Sequence, residues 1–248
     1  MGNELLSARR AAVGLLACAA VAAGGCGGGS KFERVGEVQP QPAPTTTAVR
    51  PPSPQALARA ALLEQSDLPD NWQAYSEIRR LSGDDLAVVA CLPRATPPLA
   101  GALGPQFADS ASEQRDGTIV QLEQVVELHA SEDVAREVMA AFETPRSRRC
   151  LVRSFLPWLR DTLRGDVSFS DLHASPLELP ALADDRAGLH VCATAFAQNT
   201  ERRLCNDVVI VRHEHATTTL TINAFGAPDP YRARQFATLA ARRLEETL

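Results

Sequence analysis

The chain has 248 residues, with 25 Lys and Arg against 30 Asp and Glu, and a formal net charge of −5. Nucleic acid requires a clustered basic face, so this mild acidity argues against it as a partner. Lys31 is the sole lysine in a chain rich in Arg and Ala, the compositional bias of a GC-rich genome.

Residues 1–10 (MGNELLSARR) end in the positive pair Arg9-Arg10, a small, apolar run follows over 11–23, and Gly24-Gly25-Cys26 closes it. A charged start, a short apolar stretch and small residues before a cut make a secretory signal, too short to span as a stable transmembrane helix. Ala23-Gly24-Gly25-Cys26 resembles the bacterial lipobox. That resemblance implies cleavage before Cys26, transfer of a diacylglyceryl group to its thiol, and a mature protein that begins there. Leu15-Leu16-Ala17-Cys18 is a competing match. Choosing Cys18 would shorten the apolar run and leave a greasy AAVAAGG start, so Cys26 is favoured. Arg9-Arg10 lacks the bulky apolar residue expected soon after a twin-arginine export pair, and reads as a plain positive start. Residues 1–25 hold Glu4, Arg9 and Arg10, so the remainder carries 23 basic and 29 acidic residues, a net of −6.

Residues 26–52 are rich in Gly, then in Pro, and offer little to bury. They read as a lipidated tether, flexible and then stiff, able to hold a folded part up to about 80 Å from a bilayer at ~3.1 Å per residue. Thr45-Thr46-Thr47 lies within this spacer. Residues 53–248 fit one domain.

Within that domain, Ser53-Pro54 should open a helix that turns Leu57, Ala61 and Leu62 inward. The run 67–72 (DLPDNW) predicts a turn that docks Trp72, and residues 73–80 a strand. Asp84-Asp85 should cap a short apolar helix ending near Cys91, and 93–113, with its Pro, Gly and Ala, reads as a long loop. Residues 118–129 alternate Val120, Leu122, Val126 and Leu128 with polar positions, a clear strand. Ser131 caps a helix in which Val134, Val138, Met139 and Phe142 recur at helical spacing. A second helix over 147–163 presents Leu151, Phe155, Trp158 and Leu159, with a kink at Pro157. Residues 167–173 read as an edge strand, and 189–197, 204–213 and 217–225 as a meander. Asp229-Pro230 begins the last helix, with Phe236, Leu239, Ala240 and Leu244 on one side. Strands returning in hairpins with intervening helices imply an α+β fold, an antiparallel sheet covered by helices on one face.

Six cysteines are present. With Cys18 in the leader and Cys26 lipidated, Cys91, Cys150, Cys192 and Cys205 remain. An even number in an oxidising compartment is a disulfide framework with three possible connectivities. The expected pairing is Cys91–Cys150 with Cys192–Cys205. The second pair has a local argument: a turn centred at Gln198-Asn199 puts Cys192 opposite Cys205, close enough to bridge, and His190 opposite Asp207. No CxxC spacing or zinc-finger offset favours a metal instead.

The order Cys91, strand, helix, Cys150, then a Cys192–Cys205 strand pair and a final helix resembles the extracellular sensor domain of mycobacterial PknH-type receptor kinases. Sensor-like lipoproteins of actinobacteria share this layout. The resemblance spans roughly 54–248 and implies a helix-decorated antiparallel sheet with two disulfides and a ligand cleft; no binding residue is carried over.

Motifs of catalysis are sparse. His213 and His215 would share one side of a strand and could chelate a transition metal, but they fall where a hairpin should reverse, so a solvated turn is the better reading. HExxH and GxSxG are absent, and His129, His173 and His190 stand near no recognisable nucleophile signature. Asp84-Asp85 and Asp184-Asp185 read as cap and loop residues. The expectation is a membrane-anchored, non-enzymatic envelope lipoprotein on the extracytoplasmic side, without cofactor. It would bind the membrane through its lipid, and a small-molecule, glycan or protein ligand through its domain. The alternatives are a lipid or glycolipid carrier, marked by an apolar cavity, and an envelope hydrolase, marked by Ser or Asp within reach of His173 or His190.

Overall fold

Burial at every second position over long stretches builds the centre of this protein. Leu189, Val191, Ala193 and Ala195 are buried, as are Leu220 and Ile222. On an extended backbone this period requires a sheet. The computed structural model describes residues 51–80, 90–92, 95–109, 119–162, 167–197, 200–225 and 230–248. Its nine strands form one sheet. They are β1 (Trp72–Ala74), β2 (Arg79–Arg80), β3 (Ala100–Leu103), β4 (Phe107–Asp109), β5 (Ile119–Leu128), β6 (Ser168–Pro176), β7 (Asp185–Ala197), β8 (Thr200–His213) and β9 (Ala216–Phe225). The order is β1-β4-β5-β9-β8-β7-β6, with β3 beside β5 and β2 beside β3, and every pairing is antiparallel. The expected meander is β7–β8–β9, and β6 lies at the edge. Cys192 faces Cys205 and His190 faces Asp207, the anticipated register.

Among the described residues four α-helices accompany the sheet: α1 (Pro54–Ala60), α2 (Glu132–Phe142), α3 (Pro145–Thr162) and α4 (Pro230–Thr247). α1 starts where Ser53 Oγ accepts from the Ala56 N–H, with Pro54 in its first turn. Ser131 caps α2 through the Val134 N–H, and Glu132 and Asp133 complement the helix dipole there.

The helices lie on both faces of the sheet, which corrects the expectation of one. Register decides this. Leu204, Val208 and Ile210 of β8 share a face with Leu189, Val191, Ala193 and Ala195 of β7, and these pack with Val138, Met139 and Phe142 of α2 and Leu151, Phe155 and Leu159 of α3. Val209 and Val211 point the other way, into Leu220, Ile222, Leu122 and the α4 residues Ala233, Phe236, Ala237, Ala240 and Ala241. On that second face α1 adds Ala58, Ala61 and Leu62 against Val126, Leu128 and Leu244. Gln124 fastens α1's exit to the sheet: its Oε1 accepts from the Leu63 N–H at 2.7 Å and its Nε2 donates to Thr218 Oγ1 at 3.0 Å.

Two further expectations change. The run 93–113 is not one loop, for it contains β3 and β4, both laid on β5. Gly and Ala dominate β3 and give little strand propensity, but ladder hydrogen bonds need only backbone, and the long edge of β5 supplies it. Residues 73–80 form two short strands instead of one. The Asp84-Asp85 helix, the Gln198-Asn199 turn and the side chains of Pro157 and Trp158 lie outside the described residues, as do the leader and residues 26–50 of the tether. Among the described residues no helix is long and apolar enough to cross a membrane.

Candidate ligand-binding site

On the face that carries α2 and α3, the apolar cluster occupies β7 and β8, and toward β5 and β9 the same face turns polar. Glu123 stands opposite Thr221, and one rung further along Gln121, Asn223 and Asn206 face one another across β5, β9 and β8. Asn206 donates its amide to Asn223 Oδ1. Thr221 and Asn223 are buried, and Thr221 Oγ1 has no hydrogen-bond partner among the described residues. A buried hydroxyl without a partner forgoes about 1–3 kcal/mol of hydrogen bonding, so this position is poised to accept or donate to a ligand.

Glu123 is the electrostatic centre of these rungs. Burial raises its carboxyl above the ordinary 4.5, opposed by the amide that Gln106 donates and by the charge of Arg79. The Tyr75 phenol is pushed up to about 12, first by burial and then by the Glu123 charge. Tyr75, Arg79, Gln106, Glu123 and Thr221 thus offer phenol, guanidinium, amide, carboxyl and hydroxyl in one neighbourhood, a donor and acceptor set suited to a hydroxylated or amide-bearing ligand.

The raised Glu123 pKa makes stability depend on pH with a definite sign. The folded chain holds this proton more tightly than the unfolded chain, so stability falls as pH rises from the ordinary value through the folded one. Above both, the half-buried carboxylate carries its desolvation penalty in full. Glu123→Gln keeps an acceptor for Gln106 and removes the charge. The variant should be more stable than the parent near pH 7.5, and the gap should close toward about pH 4. Urea denaturation at the two pH values measures it; a variant no more stable at the higher pH would refute the assignment.

The histidines fall elsewhere. His190 lies on the opposite face, donates or accepts through Nδ1 to Asp207 Oδ1, and rests Nε2 2.8 Å from Cys192 Sγ. An Asp within reach of His190 is the mark set above for a hydrolase. Here, however, the atom on the far side of the ring is a disulfide sulfur, which has no proton to surrender and cannot serve as a nucleophile. Both disulfides are closed, Cys91–Cys150 and Cys192–Cys205. His173 is exposed and hydrogen-bonds the Asp171 carbonyl. His129 is buried and meets Thr217 Oγ1 at 2.9 Å.

His213 and His215 flank the reversal between β8 and β9, where Glu214 adopts a φ of 47°. His213 Nδ1 lies 3.5 Å from Asp184 Oδ2, and His215 Nδ1 3.9 Å from Glu214 Oε2. Among the described residues neither belongs to a three-ligand group. Asp184 also accepts the Glu214 N–H and approaches Arg212, so its work is to hold the turn.

No protein-family model matches the chain, and no curated protein matches it. Among solved structures, the extracellular domain of PknH from Mycobacterium tuberculosis is similar at 13% identity and a TM-score of 0.39, covering 79% of this chain and 98% of that one. LpqN of the same organism, involved in cell envelope biogenesis, is similar at 13% identity and a TM-score of 0.29, covering 72% of this chain and 78% of that one. The first is the type of domain that the cysteine order resembles. Likeness at this level assigns no ligand and no residue role.

Proposed function

We propose that the protein is an extracytoplasmic lipoprotein whose domain binds a polar ligand and does not transform it. In this reading residues 1–25 are removed, Cys26 carries the lipid, 26–52 form the tether and 53–248 the binding domain. The observation that carries the binding role is the buried Thr221 hydroxyl, without a hydrogen-bond partner among the described residues, beside the half-buried Glu123 and the buried Asn223 on the polar part of the sheet face. A glycan or other polyhydroxylated molecule matches that donor and acceptor set. Closure of Cys91, Cys150, Cys192 and Cys205 into two pairs supports an oxidising compartment, and leaves Cys26 free for acylation.

Two measurements test the halves separately. Radiolabelled palmitate should enter the parent and Cys18→Ala proteins and be lost from Cys26→Ala; label retained after the Cys26 change removes the anchor. Native mass spectrometry of the protein purified from its envelope should show a bound species in the parent that is absent from a Gln121→Ala, Thr221→Val variant. Equal occupancy in both would place the ligand elsewhere.

A further inference from the structure

α3 begins Pro145-Arg146-Ser147-Arg148-Arg149 and adds Arg153 one turn later, with no acidic residue in its first turn. Helix electrostatics favour the opposite arrangement, because the N-terminal end is already positive and attracts anions. Arg149 and Arg153 also form a like-charged i, i+4 pair, which weakens a helix. Several arginines elsewhere find carboxylates: Arg136 binds Glu132 and Asp133, Arg232 binds Asp109, and Arg243 binds Glu64 and Asp67. Arg146, Arg148, Arg149 and Arg153 have no ion pair among the described residues, and all but the half-buried Arg148 are exposed. A chain of net negative charge has gathered unneutralised positive charge on one helix face. The clustered basic face that overall composition argued against is therefore present.

The shape beside these charges narrows the partner. Arg148, Arg149, Val152 and Arg153 form one wall of an open groove of about 310 Å³, with Ala174, Pro176 and Leu189 from β6 and β7 as the other. A guanidinium rim over an apolar floor fits an amphiphile that joins a phosphate to hydrocarbon: the forks bind phosphate oxygens in pairs, and the floor takes the first carbons. Nucleic acid offers the phosphate without the hydrocarbon.

We propose that α3 and the groove along β6 are a membrane-contacting surface that docks on anionic phospholipid headgroups. The proposed Cys26 anchor would keep a bilayer within the reach of the tether, so the inference leans on that reading for proximity alone. Docking would then orient the domain on the surface instead of leaving it to swing.

The test uses the full chain with Cys26→Ser, so no acyl group contributes, and vesicles of phosphatidylcholine with or without 30% phosphatidylglycerol, at about 0.1 M salt. Sedimentation should show a preference for the anionic vesicles that declines as salt is raised. The Arg146→Gln, Arg149→Gln, Arg153→Gln variant should lose that partition by about fivefold per arginine, on the order of 100-fold together. Any contribution of the apolar leader is shared by both proteins and cancels in the ratio. Removal of the like charges leaves α3 no weaker, which circular dichroism checks. Equal partition of variant and parent overturns the surface. So does arginine-dependent binding of a 20-nucleotide single strand without binding to the anionic vesicles, which would make it a polyanion site of another kind. Palmitate labelling at Cys26 is independent of both outcomes, so the anchor and the docking surface fail separately.

Discussion

Replacing Cys91 and Cys150 together by alanine should lower the unfolding free energy by about 4 kcal/mol, and replacing Cys192 and Cys205 by about 3 kcal/mol. The order follows from the unfolded chain. The first bridge spans 59 residues and the second 13, and the longer loop regains more conformational freedom when released. The second bridge also ties neighbouring strands that the β7–β8 ladder already aligns, so its loss leaves the register of the pair specified by hydrogen bonds. The first ties Cys91 and Leu92 to α3 within the cluster of Phe155, Leu159 and Leu204. For a domain of this size the losses correspond to roughly 8–16 °C and 6–12 °C in Tm. Urea denaturation of the parent and the two double variants measures both, and a short-loop variant less stable than the long-loop one would overturn the account.

The Cys192–Cys205 bridge was legible in the sequence because a hairpin converts spacing into geometry, and pairing those two leaves Cys91 and Cys150 for the other. Once 189–197 and 204–213 are strands joined by a short turn, Cys192 must lie near Cys205. The caps at Ser53 and Ser131 were legible for a similar reason: one side chain and one or two N–H groups decide each helix start, all within four residues. The number of covered faces depends on tertiary packing and was misread. Its signal was present in Val208-Val209-Ile210-Val211, a continuous apolar run of the kind a strand buried on both sides requires.

That one misreading also hid the candidate site. If helices covered a single face, Thr217, Thr219, Thr221 and Asn223 would be the solvent side of β9, and nothing about them would call for explanation. With helices on both faces these four are buried, and polar residues in that setting need partners or a purpose. The arginine face of α3 escaped notice through averaging: a net charge of −5 sums over the whole chain and is blind to clustering on one helix. Glu123 shows the limit most plainly. Its neighbour Gln106 comes from the connection between β3 and β4, which low strand propensity disguised as loop, and Arg79 from a strand whose pairing with β3 that same loop reading concealed. No inspection of 118–129 alone could have shown that its carboxyl is desolvated.

Phe236→Ala should cost about 3–5 kcal/mol, the range for removing a buried aromatic ring from a core. Phe236 is 1% exposed and meets Trp72 edge to face, with ring centroids 4.7 Å apart and an interplanar angle of 77°. The pair joins α4 to β1, elements at opposite ends of the domain sequence that have no backbone ladder in common. Three ion pairs reinforce the same helix: Arg243 reaches Glu64 and Asp67 at 2.9 Å, and Arg232 reaches the buried Asp109 at 3.0 Å. They cannot substitute for the ring: the partly exposed Arg243 pairs contribute only about 0–1 kcal/mol each, and in the Arg232–Asp109 pair the cost of desolvating the buried carboxylate offsets much of the attraction. Edge-to-face stacking adds about 0.5–1.5 kcal/mol beyond buried area, so Phe236→Leu, which keeps most of the volume and loses the stacking, should fall well short of the alanine loss. Leu239→Ala on the same helix, at a half-buried position, should cost less than Phe236→Ala. Chemical denaturation of the three variants gives the ranking. An alanine variant within about 1 kcal/mol of the parent would mean that α4 is held by its ion pairs and small-residue contacts, and that the Trp72–Phe236 contact is incidental to the fold.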